Sequence, residues 1–320
     1  MAKAIEVSSL GKIYDGVVAV DGISFEVEAG DVFGFLGPNG AGKTTTIRML
    51  TGLSRPTAGS ARVLGHDIAS DIVKAKKEFG VVPEQSNMYD ELSGLENLIF
   101  VGQLYGMPRP EHRTRAEELL KTFGLFQRKD SKFATYSRGM KRALTIAAAL
   151  VHKPRLLFLD EPTVGLDVVA ARSLRAIIKR LKESGMTVFF TTHYLEEADN
   201  LCDRIALLVK GRIVAIDTPA SLKSMAEEKP ALEVSFKMPL MKAADELGRR
   251  LTGLTVARID DRIRIYGGDA DAVLHAILGY AIENGTQVAS VSSLKPSLED
   301  AFVKLTGLSP LVMAAEKGGR

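Results

Sequence analysis

The chain has 320 residues, 46 % hydrophobic and 25 % charged, enough for one large core or for a large domain with a smaller one. Its 42 basic and 39 acidic residues leave a formal charge of +3, and no dense basic block stands out beyond short runs such as Lys74-Ala75-Lys76-Lys77, so no nucleic acid partner is expected. A single cysteine, Cys202, excludes an internal disulfide framework. The N-terminus lacks the apolar core of a signal peptide, and no apolar run approaches the ~20 residues that cross a bilayer, so an intracellular chain that does not itself span a membrane is expected.

The first predicted element is Ile23 to Asp31, where Ile23, Phe25 and Val27 alternate with Ser24, Glu26 and Glu28, the pattern of a half-buried antiparallel strand. Val32 to Leu36, Val81-Val82, Leu156 to Leu159 and Thr187 to Thr192 are short apolar or β-branched runs of the kind found in strands covered on both faces. Helical spacing over Thr44 to Gly52, Arg142 to Val151 and Ala171 to Ser184 separates them, and this alternation predicts a mainly parallel α/β sheet. A helical insertion of about residues 87–140 interrupts it, with a capping box at Ser93-Gly94-Leu95-Glu96 and a break at Met107 to Pro110. Ile205 to Val209, Lys210-Gly211 and Ile213 to Ile216 read as a hairpin that closes a first domain, 1–226.

The joint Glu227 to Pro230 marks a boundary. Beyond it strands at 232–236, 255–259, 262–266 and 287–291 and helices through Leu240 to Leu251 and Val273 to Ala281 give a βαββαβ order, a small ferredoxin-like α+β domain over 231–307 with a short last helix and a 308–320 tail. It shows no catalytic constellation. His275, in an apolar helix, reads as packing, and Cys202 as core filler.

Two features carry chemistry. Gly37-Pro38-Asn39-Gly40-Ala41-Gly42-Lys43-Thr44, continued by Thr45, follows an apolar strand and opens a helix, the context of a phosphate-binding P-loop. Its glycines let backbone N–H groups close on phosphate oxygens, the helix adds its positive end, Lys43 reaches the β- and γ-phosphates, and the Thr44 hydroxyl suits Mg²⁺. Chance produces such a pattern in about one per cent of chains this long, before strand and helix are required. The second feature is the pair Asp160-Glu161 at the end of an apolar strand, the edge at which open α/β sheets bind ligands. Asp160 suits Mg²⁺ and Glu161 suits a general base. Gln85 and His193 follow two further parallel strands, so four strand ends are expected to converge on one crevice.

Taken together, GPNGAGKT at 37–44, Gln85, YSRGM at 136–140, LLFLDEP at 156–162, GLD at 165–167 and His193 resemble the ATP-binding cassette (ABC) ATPases in order and spacing over about residues 4–220. The resemblance implies a P-loop core with an N-terminal antiparallel subdomain, and a head-to-tail dimer, expected as a homodimer, that holds two ATP molecules. Each would sit between one P-loop and the other subunit's Ser137 and Gly139, at the start of a helix beginning near Lys141. It also implies that Asp167 links the two sites, that His193 steadies the γ-phosphate and the water, that Gln85 senses Mg²⁺ and the membrane partner, and that Tyr14 stacks on adenine. The signature departs from the usual LSGGQ: Arg138 replaces a glycine and Met140 a glutamine, and Arg138 either points outward or adds charge near the nucleotide.

YSxGM, GRIVAIDTP at 211–219 and PSLEDAFVKLTG at 296–307 look like the exporter branch of daunorubicin-resistance and ABC-2 ATPases. That implies a subunit held at the inner face of the cell membrane by a separate permease. An importer ATPase, or a soluble ABC protein clamping ribosomes or DNA, are the alternatives; the latter fits less well with one cassette and no sustained heptads.

Overall fold

The computed structural model describes residues 2–226, 231–237, 243–259, 262–294 and 296–308. They form two compact units, one running to Pro219 and including the chain from Leu305, the other Ala220–Lys304. The division thus precedes the joint expected at Glu227 to Pro230, which lies outside the described residues with Leu240 and 309–320.

The first unit opens on a hairpin, β1 (Lys3–Tyr14) and β2 (Val17–Glu28), turning at Asp15-Gly16 with φ of 46° and 82°. Two consecutive positive φ values match the twist of a tight hairpin, which is why Asp-Gly sits there. In β2, Ile23, Phe25 and Val27 are buried and Ser24 and Glu26 exposed, as their alternation requires. The strand begins six residues earlier than the alternation suggests, because pairing with β1 carries it past Gly22.

Next come β3 (Val32–Leu36), α1 (Lys43–Leu50), β4 (Ala58–Val63), β5 (His66–Asp67), α2 (Ile72–Lys76) and β6 (Phe79–Val82). The helical insertion supplies α3 (Gly94–Leu104) and α4 (Arg109–Thr122), and α5 (Arg138–Ala149) leads back to the sheet. Then follow β7 (Leu156–Asp160), α6 (Val168–Glu183), β8 (Thr187–Thr192), α7 (Leu195–Leu201), β9 (Arg204–Val209) and β10 (Arg212–Asp217), while α8 (Pro219–Ala226) falls in the second unit from its second residue on. Two sheets result: an antiparallel one ordered β2-β1-β4-β5 and a six-stranded one ordered β10-β9-β3-β8-β7-β6. In the second, β9, β3, β8, β7 and β6 are parallel and β10 is antiparallel.

The central strands are apolar throughout because each face meets a different core. Phe33, Phe35, Phe158 and Phe189 join Phe25 and Val27 of β2, with ring centroids such as Phe35–Phe189 at 5.3 Å. On the opposite face Val32, Leu157, Leu159, Val188 and Phe190 pack with Leu144 and Ile146 of α5 and with Leu174 and Ile178 of α6. Full burial of each such side chain contributes about 1.5–3 kcal/mol, so the strand ends that carry the chemistry stand on rigid supports.

The second unit supplies β11 (Ala231–Phe236), α9 (Ala243–Arg250), β12 (Thr255–Ile259), β13 (Arg262–Tyr266), α10 (Ala270–Glu283) and β14 (Val288–Leu294), and α11 (Leu298–Thr306) follows. The antiparallel sheet order β12-β13-β11-β14 is that of a ferredoxin-like fold, as the βαββαβ pattern predicts. Val234, Leu247, Ile265, Ile277 and Tyr280 form its core. His275 does not pack there. It is exposed on α10, its Nδ1 2.7 Å from the Asp271 carbonyl one turn back, because the buried stripe runs through Val273, Ile277, Tyr280 and Ala281.

The capping box is present as expected: Ser93 Oγ accepts from Glu96 N at 3.2 Å and Glu96 Oε2 accepts from Ser93 N at 2.8 Å. Ser93→Ala should cost about 1 kcal/mol and lower the midpoint of thermal unfolding by about 2–4 °C, read by circular dichroism.

Candidate active site

The P-loop is shaped by what surrounds it. A Cβ on Gly37 would lie 2.1 Å from the Leu208 carbonyl oxygen of β9, and one on Gly42, at φ 104°, would lie 2.6 Å from the Ala19 carbonyl oxygen of β2. Only glycine fits either position. Gly40 is also at positive φ, Ala41 is buried, and its carbonyl accepts from Gly211 N at 3.0 Å. Pro38 is buried and Asn39 and Thr45 are half-buried. No side chain caps α1, so its first N–H groups remain as donors toward the loop.

Lys43 is 5 % exposed; its Nζ donates to the carbonyls of Gly37 (2.5 Å) and Pro38 (3.1 Å) and lies 3.0 Å from Glu161 Oε1. Glu161, 6 % exposed, places its other oxygen 2.9 Å from His193 Nδ1. Among the described residues Oε1 takes no well-aligned hydrogen bond; two of the three Lys43 protons go to the loop carbonyls, and the ammonium, 3.0 Å away, still helps to hold the carboxylate ionised. The ion pair still counts, because a buried ammonium attracts whatever its alignment.

Burial, the largest influence, pushes the Glu161 carboxyl up, but the His193 hydrogen bond and the Lys43 charge together outweigh it and hold the group below the ordinary glutamate value. Asp160 moves the other way. Burial raises its carboxyl above the ordinary range despite hydrogen bonds from Thr191 Oγ1 (2.7 Å) and Thr44 Oγ1 (3.2 Å), and the Glu161 charge adds to the rise. Adjacent carboxylates pushed apart in this way are suited to different tasks.

Glu161 also sits at φ 45°, a conformation that costs a non-glycine residue about 1–3 kcal/mol. Its backbone is held by Thr191 Oγ1, which accepts from Glu161 N at 3.0 Å while donating to Asp160. Among the described residues no group of three or more His, Cys, Asp or Glu could hold a metal. Thr44 and Asp160 nevertheless offer two hard oxygens side by side, the donor set of a magnesium ion that takes its remaining ligands from phosphate and water.

The strand order explains which expected residues meet. β8 lies between β3 and β7, so Lys43, Glu161 and His193 come from neighbouring strand ends. Gln85 is exposed three residues past the edge strand β6, which itself adjoins β7. An ion pair and a hydrogen bond join three of the four expected strand ends directly.

The signature helix starts at Arg138, three residues before the expected Lys141, because Ser137 is its N-cap, with Oγ 3.3 Å from Met140 N. Arg138 is exposed on the first turn. Ser137, Gly139, Met140, Leu166 and Asp167 line a cavity of about 470 Å³, and Asp167 caps α6 through Ala170 N at 2.8 Å. Tyr14 ends β1, 40 % exposed, with the Lys12 ammonium 4.7 Å from its ring centroid and its hydroxyl 3.1 Å from Ser54 Oγ.

Sequence reasoning missed Arg142. Its guanidinium, 8 % exposed, donates to the carbonyls of Pro83 (2.5 Å) and Glu84 (3.2 Å) after β6 and of Asp160 (2.9 Å) and Pro162 (2.8 Å) around the end of β7. Burial lowers its pKa to about 10. The signal was an arginine on the buried stripe of an amphipathic helix, with Thr145, Ile146 and Ala149.

The sequence pattern of the ABC transporter family matches residues 20–164. The chain is 41 % identical over 308 residues to the daunorubicin/doxorubicin resistance ATP-binding protein DrrA of Streptomyces peucetius, covering 95 % of this chain and 93 % of that protein. It is 37 % identical over 306 residues to the linearmycin resistance ATP-binding protein LnrL of Bacillus subtilis, covering 95 % and 98 %. The chain belongs to the ABC transporter ATP-binding proteins.

Among solved structures, an ATP-binding subunit of an ABC transporter superposes with a TM-score of 0.63 at 32 % identity, covering 69 % of this chain and 92 % of the other. A dimeric ATP-binding cassette in a post-hydrolysis state with ADP and Pi gives 0.61 at 25 % identity, covering 67 % and 98 %. This ABC protein is an ATPase subunit of the exporter type. Among its described residues no helix is long and apolar enough to cross a membrane.

Two outcomes follow. Arg142→Met strands four carbonyls and should destabilise the protein by on the order of 3 kcal/mol, read by denaturant unfolding. For Glu161, whose folded pKa lies below its unfolded value, the stabilising contribution is complete above pH about 4.5 and is lost as pH falls through the folded value. Glu161→Gln should therefore show a shallower loss of Tm than the parent between about pH 6 and pH 3; the opposite sign of Asp160 acts in both proteins.

Proposed function

We propose that the chain is the cytoplasmic motor of an ABC-2 type exporter, peripheral to the inner face of the cell membrane through a separate permease. Two copies close head to tail on ATP, and hydrolysis reopens them. What supports this reading is the buried chain Lys43–Glu161–His193 at the mouth of the P-loop, with Thr44 and Asp160 beside it.

Lys43 and the N–H groups of residues 37–45 bind the ATP phosphates, with Tyr14 against the adenine. Thr44 and Asp160, with Gln85 as a further contact, would hold Mg²⁺, which would supply charge neutralisation at the phosphates. Glu161 Oε1, ionised and with an unused acceptor position, takes a proton from the attacking water as the water's oxygen bonds to the γ-phosphorus and the bond to ADP breaks. His193 holds Glu161 in place and reaches the γ-phosphate with its other ring nitrogen. Ser137, Gly139 and Asp167 serve the partner's nucleotide, Ser137 at the N-terminus of α5, where an anion is favoured.

Relatives are named for resistance to daunorubicin, doxorubicin or linearmycin and for Nod factor export, and efflux of a compound through the permease is the reading for this subunit too. Residues 1–226 form the ATPase domain and 231–307 an accessory domain that stabilises the dimer or regulates it. Purified protein should hydrolyse ATP slowly. Glu161→Gln should bind ATP as the parent does and lose turnover by 10²-fold or more; undiminished phosphate release would remove Glu161 as the base.

A further inference from the structure

Glu197, on α7, lies outside every motif discussed above and is 1 % exposed. Its Oε2 accepts from two hydroxyls, Thr163 Oγ1 at 2.9 Å and Thr192 Oγ1 at 3.1 Å, and its Oε1 receives Nε and Nη2 of Arg175, both at 3.3 Å. Thr163 stands two residues after Glu161, and Thr192 immediately precedes His193. Thr192 Oγ1 in turn accepts from Tyr194 N at 3.0 Å, so the backbone on both sides of His193 is tied to the same group.

We propose that Glu197 is a positioning residue for hydrolysis: one buried carboxylate oxygen joins the chain leaving Glu161 to the chain entering His193 and so sets the geometry of the Glu161–His193 pair. The inference rests on the reading of Glu161 as base. Three observations carry it. Glu161 sits in a strained backbone conformation, which persists only when its surroundings over-determine it. On its N-terminal side Thr191 supplies that constraint; on its C-terminal side the tie is Thr163 to Glu197. Finally, the buried carboxylate has all its partners, with Arg175 offsetting its charge, so the junction is stiff and cannot shift without stranding an anion. A loop that only needed packing there could use an apolar side chain, whereas two hydroxyls meeting on one oxygen fix a distance.

A displacement of about 1 Å at such a pair is enough to cost ~10²-fold in rate. The test uses the full chain with Glu197→Gln, Thr163→Val, Thr192→Val and the double threonine variant, the valines keeping the branched shape while removing one donor each. ATP turnover, KM, equilibrium affinity for a fluorescent ATP analogue and Tm are measured for each.

The expected result is kcat lower by about 10- to 100-fold in Glu197→Gln and in the double variant, with KM and analogue affinity within about twofold of the parent. A lower Tm with kcat per folded molecule unchanged would make Glu197 a packing residue and overturn the proposal. The single threonine variants decide the matter if Glu197→Gln does not fold. Glu161→Gln, run alongside, separates the two readings: its loss of turnover with normal kcat in the Glu197 and threonine variants overturns the positioning role alone, whereas its undiminished turnover overturns the base assignment and this inference with it.

Discussion

Lys43 and Glu161 are opposite charges, each almost wholly withdrawn from water and 3.0 Å apart. Burying either one alone would cost several kcal/mol, so each requires the other, and both require hydrogen-bonding neighbours. Much of the surrounding structure answers that requirement. The P-loop carbonyls of Gly37 and Pro38 take the lysine's protons, and His193 takes the second glutamate oxygen. The loop can offer those carbonyls because glycine at 37 and 42 lets it press against β9 and β2.

A site of this kind depends on strand order more than on any single residue. The parallel strands are buried on both faces, fixed on one side by the phenylalanine cluster around Phe33, Phe35 and Phe189 and on the other by α5 and α6. Their C-terminal ends are thereby held in a fixed row, and the chemistry-bearing residues are the first positions beyond that support. Hydroxyls on β8 finish the arrangement: Thr191 serves Asp160 and Glu161, and Thr192 serves Glu197. Arg142 performs the corresponding task on the other flank, gathering carbonyls from the ends of β6 and β7 under the signature helix.

The two neighbouring carboxylates show how position divides labour between identical groups. Asp160 accepts from two hydroxyls, Thr44 and Thr191, which do not outweigh its burial, so its proton is held more tightly. Glu161, one residue on and turned by its positive φ, meets an ammonium and an imidazole instead and stays ionised. Side chains of one chemical class thus come to differ through backbone geometry alone.

The sequence by itself determined the local elements and the parts list. Glycines at 37, 40 and 42 followed by Lys43-Thr44, apolar runs at 32–36 and 187–192, the Ser93–Glu96 capping box and the βαββαβ order after residue 231 are legible because they depend on local conformation and on which face is apolar. Only the tertiary structure decided which parts meet. Pairing of β8 between β3 and β7 brings His193 to Glu161 and leaves Gln85 at the sheet edge, and no spacing along the chain encodes strand order. It also decided that α5 begins at Ser137, that His275 faces water, and that Arg142 and Glu197 are satisfied inside the protein. A buried charge cannot be read from the sequence, because its partners are backbone carbonyls and hydroxyls that every chain possesses and only the fold aims.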